Sequence, residues 1–156
     1  MAICILKSNK QLGVNFILTP ERYNPRRRMS IDNEDTILMS EIVEIVNDII
    51  TKKQAQGKSI IQINTSDAMG GYLNINSEVN DSINSNKKIL RKGDVIISRL
   101  RPYLRQVAYV DEDRKEILGA STEFFVIRAR NNESIAYLVP FLLSQPAQLV
   151  FENSVE

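Results

Sequence analysis

The 156-residue chain predicts a mixed α/β domain: a twisted, mostly antiparallel sheet with short flanking helices and a C-terminal helical segment. Three observations carry this expectation. Short β-branched runs recur through the middle of the chain, with strand-like alternation or continuous apolar character, around 60–63, 95–97, 106–110 and 122–128. Turn-forming clusters separate them, notably Gly70-Gly71 and the charged stretch DEDRKE, residues 111–116. Near the end the period changes from two to 3.6, because Ile135, Leu138, Val139, Leu142 and Leu143 share one helical face.

Taken in order, TPERYNP offers Thr19 as a cap and Pro20 as a first helical residue, which gives a short turn before Pro25. The next segment, DTILMSEIVEIVNDIITKK, has helical spacing but β-branched composition. It is read as a short helix near Ser40 followed by a strand. KSIIQINTSDAMGGYLNI reads as strand, loop, strand, turning at Gly70-Gly71, and NSEVNDSINSNKK reads as a polar surface loop. From Lys92 onward, three strands separated by turns predict a β-meander. In the final helix Pro140 must lie in or near the first turn, where its missing amide hydrogen costs nothing, with Asn132 or Ser134 available to cap it. Pro146 ends that helix and starts a short second one through Phe151.

This length suits a single domain, residues 1–156, in which 1–19 form an N-terminal extension. No apolar run approaches bilayer length and the N-terminus lacks a signal-peptide pattern, so the expected location is cytoplasmic, away from membranes. The lone Cys4 cannot form an internal disulfide. There is no histidine, which removes the commonest general base, histidine-assisted nucleophiles and most zinc sites. No cofactor is expected, and neither a catalytic nor a metal-binding residue is assigned.

Three enzyme-like patterns are weak. QGKS, residues 56–59, ends like a phosphate loop, but the required earlier glycine position holds Lys52. NPRR, residues 24–27, fails as a methyltransferase tetrapeptide at its third and fourth positions. Asp94 with Asp113-Arg114-Lys115 imitates the acidic-x-Lys set of a metal-dependent nuclease, yet DEDRKE has the composition of an exposed turn rather than a strand.

Charge distribution is more informative. Between 87 and 105 the chain carries Lys87, Lys88, Arg91, Lys92, Arg99, Arg101 and Arg105 against the single acid Asp94, in a protein whose net charge is only +1. Such a segment is the electrostatic footprint of a nucleic-acid binder. If the chain stays extended, Arg99, Arg101, Tyr103 and Arg105 share one face. Guanidinium groups grip phosphates and read guanine edges, and a tyrosine stacks on a base or binds a phosphate. Pro102 interrupts the ladder and makes the middle a projecting loop between two strands. The competing reading is a solvated edge hairpin whose charges prevent aggregation. Arg26-Arg27-Arg28 forms a second basic cluster.

The order of these features resembles the target recognition domain of a type I restriction-modification specificity subunit. The resemblance rests on L-x-K-G-D-V-I-I-S-R-L-R-P-x-L-x-x-V-A-x-V from Leu90, S-T-E-F-F-V-I-R from Ser121 and Y-L-x-x-x-L-L-S from Tyr137. RYNP at 22–25 and QINTSD at 62–67 before Gly70-Gly71 add to it, so it spans about residues 20–153. It implies a non-catalytic protein that reads one half of a split duplex DNA target and works with a modification (methyltransferase) subunit and a restriction/translocase subunit. Pairing with a second recognition domain also follows from it. FENSVE stands where the family continues into spacer helices, so the chain is expected to be one recognition domain without its spacer.

On this reading Arg99, Arg101, Tyr103 and Arg105 contact DNA, and Lys87, Lys88, Arg91 and Lys92 anchor phosphates. Ser66 and Asp67, in the Thr65 to Tyr72 loop, face base edges beside glycines that allow close backbone approach; a simple hairpin turn accounts for that loop equally well. Asp94 is expected to be a turn residue accepting backbone amide hydrogens. A metal-dependent nuclease and a protein-interaction module remain the alternatives.

Overall fold

The computed structural model describes residues 36–75 and 78–152. The expectations for Cys4, the Thr19-Pro20 turn, the Arg26-Arg27-Arg28 cluster and the N-terminal extension lie outside the described residues.

The ambiguous first segment resolves into helix α1, Met39–Ile42, followed at once by strand β1, Val43–Val46. One helical turn is all that the β-branched residues permit before the chain extends. Strand β2, Ile49–Ile50, leads into helix α2, Lys52–Ala55, capped by Thr51. Gln54 N donates to Thr51 Oγ1 at 3.4 Å and Thr51 N donates back to Gln54 Oε1 at 3.0 Å, a reciprocal box that fixes so short a helix. Then come β3, Ile60–Ile63, a 3-10 turn, Thr65–Asp67, and the hairpin strands β4, Ala68–Met69, and β5, Tyr72–Leu73.

Strands β6, Val79–Asn80, and β7, Lys87–Leu90, follow, then β8, Val95–Ser98, β9, Val107–Tyr109, β10, Ile117–Ser121, and β11, Phe124–Ala129. Helices α3, Leu138–Leu143, and α4, Gln145–Glu152, close the described chain. Pro140 occupies the third position of α3, within its first turn as its chemistry requires, and Pro146 the second position of α4. Neither Asn132 nor Ser134 caps α3. The N-cap position belongs to Tyr137, because a tight turn from Ile135 to Val139 already engages the first amides.

These strands form two larger sheets and a separate two-stranded one, β4-β5. The first, in the order β1-β11-β8-β9, is antiparallel throughout. The second, β2-β7-β10-β3-β6, is antiparallel except where β10 runs parallel to β3. The expected meander is therefore corrected. After the β8-β9 hairpin the chain crosses into the second sheet as β10 and returns as β11, which pairs with the opposite side of β8. The polar loop is corrected in part: β6 and β7 lie in the segment read as loop and just beyond it.

The continuous apolar runs have a simple cause. Ile96, Ala108 and Val126 face a core shared with Ile61, Leu90 and Leu118 of the second sheet. Their sequence neighbours Val95, Val107 and Ile127 face the opposite way, onto Leu138, Val139 and Leu142 of α3. The first sheet is thus covered on both faces, which abolishes polar alternation in its inner strands. A smaller cluster of Ile50, Ala55, Ile60 and Ile83 lies behind the second sheet, on α2.

Candidate nucleic-acid interface

The stretch RLRPYLR forms the connection between β8 and β9, as the proline predicted. Ser98 N donates to Gln106 O at 2.9 Å and closes the hairpin, and beyond that pair the ladder stops. Pro102–Leu104 form a single 3-10 turn, with Leu104 N donating to Arg101 O at 2.9 Å. On either side of this turn, Arg101 and Arg105 adopt φ values of 50° and 51°. Left-handed backbone at a non-glycine residue is disfavoured and clusters at functional sites, at a cost of about 1–3 kcal/mol each. Strict alternation of the four groups is therefore broken twice. The loop instead displays Arg99, Arg101, Tyr103 and Arg105 as exposed side chains, with Leu100 and Leu104 also exposed.

The base of the loop is held firmly. Ser98 Oγ donates to Leu100 O at 3.0 Å and accepts from Leu100 N at 3.2 Å, and Arg99 N donates to Glu123 O at 2.8 Å. The Arg99 guanidinium sits 5.3 Å from the centre of the Phe125 ring, a stacking contact across β8 and β11. Among the described residues no carboxylate pairs with Arg99, Arg101 or Arg105.

The second candidate loop hangs on the same strand. Gly71 N donates to Val107 O at 3.0 Å and accepts through its own carbonyl from Tyr109 N at 3.2 Å, so the β4-β5 hairpin covers the free edge of β9. Gly71 has φ +93°, and a Cβ there would come within 2.9 Å of Val139 Cγ1. Only glycine brings the hairpin this close to α3. Ser66 is exposed. Asp67 acts as a turn-closing residue: its Oδ2 accepts from Asn64 N at 2.7 Å and its carbonyl from Asn74 N at 2.7 Å. Met69 and Tyr72, which sequence reasoning passed over, project from this hairpin at 62% and 81% exposure.

The four anchors divide. Arg91 and Lys92 are exposed at the turn into β8. Lys87 and Lys88, expected as phosphate anchors, are buried within β7, at 7% and 5% exposure. Lys88 Nζ donates to Phe124 O at 2.8 Å, tying β7 to the first residue of β11. Burial, and secondarily the charge of Arg99, lower its pKa from the ordinary lysine value.

Asp94 is the most buried carboxylate of the region, at 1% exposure. It accepts Arg91 N at 2.8 Å, as the sequence predicted, and its two oxygens also accept Nε and Nη2 of Arg128 at 2.8 Å each. Arg128 reaches on to Asp48 Oδ2 at 3.1 Å, and Arg91 Nη2 reaches the same oxygen at 3.3 Å. These bonds raise the Arg128 pKa above its already high ordinary value. Sequence reasoning missed Arg128 and Asp48. The available signal was a solitary arginine at the end of an otherwise apolar strand. With both Asp94 oxygens so engaged, and with Asp113 in an irregular exposed segment beside the Arg114–Glu112 pair, the two acids of the nuclease pattern are held by separate structures.

No family model matches the chain, and no curated protein matches it. Among solved structures its fold is similar to that of the HsdS subunit from Thermoanaerobacter tengcongensis, with a TM-score of 0.53 and 21% sequence identity over 69% of this chain. The match takes in 28% of the HsdS chain, so the matched part of this chain spans a little over a quarter of its length. No helix among the described residues is long and apolar enough to cross a membrane.

Proposed function

We propose that the chain is a target recognition domain that binds duplex DNA sequence-specifically, and that it directs a methyltransferase subunit and a restriction/translocase subunit to a split target as part of a type I specificity subunit. The observation that carries this reading is the RLRPYLR loop: three arginines without carboxylate partners among the described residues and an exposed tyrosine, on a hairpin end with a hydrogen-bonded base. A loop held at its base by backbone hydrogen bonds presents planar cations to a groove with little backbone freedom left to lose on binding. The fold shared with an HsdS subunit and the motif order of the sequence support the same reading.

In this reading Arg101, Tyr103 and Arg105 meet the groove, Arg99 is positioned by Phe125, and Arg91 and Lys92 hold phosphates. Ser66 and the exposed hairpin side chains Met69 and Tyr72 form the second contact. The decisive experiment is selection of a random duplex library on the purified chain, followed by titration of the enriched duplex at several salt concentrations. A recurring sequence is expected, with affinity falling steeply as salt rises. Enrichment of no sequence, with equal weak affinity for every duplex, overturns the recognition role. Magnesium-dependent cleavage abolished by Asp113→Ala would make the protein a nuclease instead.

A further inference from the structure

Behind the arginine loop lies a cleft of about 470 Å³ that DNA reading by the loop's outer surface leaves unexplained. Its floor is the first sheet, through Ile97, Phe125 and Ile127, and its far wall is Leu142 of α3 with Phe151 of α4. Arg99, Arg101 and Arg105 stand in its lining on the loop side, and no acidic residue among the described ones joins them. Its size falls within the range of about 300–1,000 Å³ typical of small-molecule sites.

A further feature points to a ligand. Gln148 of α4 belongs to the wall of this cleft and is only 4% exposed. Its Nε2 donates to Leu142 O at 2.7 Å, which fixes the amide, and its Oε1 has no hydrogen-bond partner among the described residues. A buried acceptor left unpaired is costly and rare; the oxygen is sealed from solvent as the side chain stands, and a turn of the carboxamide toward the cleft would let an incoming N–H group satisfy it.

Apolar walls with an aromatic ring, cations on one side and an unpaired acceptor describe a ligand with a flat body, an anionic group and at least one N–H donor. We propose that the cleft receives a single nucleotide lying outside the base stack, its ring against Phe125 and its phosphate on Arg99, Arg101 and Arg105. The ring packs beside Phe125 and stacks on the outer face of the Arg99 guanidinium, and the Gln148 carboxamide turns so that its oxygen accepts from a ring or exocyclic N–H. A fatty anion would fill the apolar walls but leave that oxygen unpaired, and inorganic phosphate would use the arginines alone. The inference rests on the proposed DNA binding only for the source of the nucleotide.

The test uses the full chain and two kinds of probe. One is a fluorescent duplex carrying a single bulged adenosine, compared with the fully paired duplex of the same sequence. The other is free deoxyadenosine monophosphate, with inorganic phosphate and decanoate as controls. Ile45→Trp is the blocking variant, since Ile45 lines the cleft from an exposed position in β1, where a larger ring is accommodated without disturbing the core. The bulged duplex is expected to bind about ten-fold more tightly than the paired one. Ile45→Trp should erase that preference and leave affinity for the paired duplex unchanged, and Gln148→Leu should reduce the preference.

Equal binding of bulged and paired duplexes by the wild-type chain, with no competition from the mononucleotide, overturns the proposal while leaving DNA reading intact. Competition by phosphate or decanoate as strong as that by the mononucleotide also overturns it. If no duplex binds but the mononucleotide does, and Ile45→Trp abolishes that binding, DNA reading fails and the nucleotide cleft stands.

Discussion

Arg128 and Arg101 are the same residue type in the same domain, and the structure puts them in opposite settings. Arg128 is mostly buried, bonded to both oxygens of Asp94 and to Asp48, and it joins β8, β11 and the turn before β2. Arg101 is exposed, in left-handed backbone, with no carboxylate among the described residues to hold it. A guanidinium surrounded by protein carboxylates has its donors committed to the fold, whereas one held out by strained backbone keeps them for a partner. Charge counting alone cannot separate the two, because both contribute +1.

The contrast is broken most forcefully at Asp94. Asp94→Ala leaves the Arg128 cation inside the protein with one weak partner and frees the Arg91 amide. It should cost about 3–5 kcal/mol of stability, read from urea unfolding, since uncompensated buried charge is among the most destabilising of lesions. A loss below about 1 kcal/mol would mean that the network is solvated and the distinction false.

On the other side, Arg101→Ala should weaken binding to the selected duplex by about 1–3 kcal/mol. If the side chain meets a phosphate, the slope of log affinity against log salt also falls by about one. Arg101→Gly sharpens the comparison further. Glycine suits a φ of 50° better than arginine does, so this variant should lose the same affinity while keeping or gaining a few tenths of a kcal/mol in stability. A large drop in its melting temperature would reassign Arg101 to the scaffold.

The smallest effect concerns Lys88, a third kind of cation, buried against a backbone carbonyl. Its folded pKa is depressed, so its charged form disfavours folding at neutral pH. That penalty is relieved as pH rises through the folded pKa toward the unfolded value of 10.5. The stability difference between wild type and Lys88→Met should therefore shift toward wild type as pH is raised toward 10.5, measured by parallel denaturant titrations. A difference independent of pH would show that Lys88 keeps an ordinary pKa.

Much of this architecture was legible in the sequence because it depends on local chemistry. Pro102 announced the break between β8 and β9, Gly70-Gly71 the hairpin, and Pro140 and Pro146 the two helix starts. The short helix and strand at 39–46 followed from β-branched residues at helical spacing. What escaped was whatever depends on partners distant in the chain. Strand β10, ILGAS, carries a glycine and an alanine where it packs closely: a Cβ on Gly119 would lie 3.2 Å from both Ile60 and Lys87, so small residues there mark tight packing rather than a loop. Lys87 and Lys88 looked like surface charge because nothing local says that Phe124 O waits for one of them. The left-handed backbone at Arg101 and Arg105 likewise follows from closure of the hairpin and not from arginine's own preference.

The route of β11 also governs how the domain comes into being. The β8-β9 hairpin that carries the arginine loop needs only neighbouring residues, and hairpins of this kind form within microseconds. Its platform does not. Phe125, which orients Arg99, arrives on a strand that ends at Ala129 and pairs with β1, starting at Val43. Closing so long a stretch of chain is slow relative to hairpin formation. On the ribosome, the loop's own strands are therefore available early, while its aromatic support arrives only when the chain through Ala129 has emerged. If the loop reads DNA as proposed, a chain ending before β11 should bind nucleic acid without discrimination, with selectivity acquired only in the last step of folding.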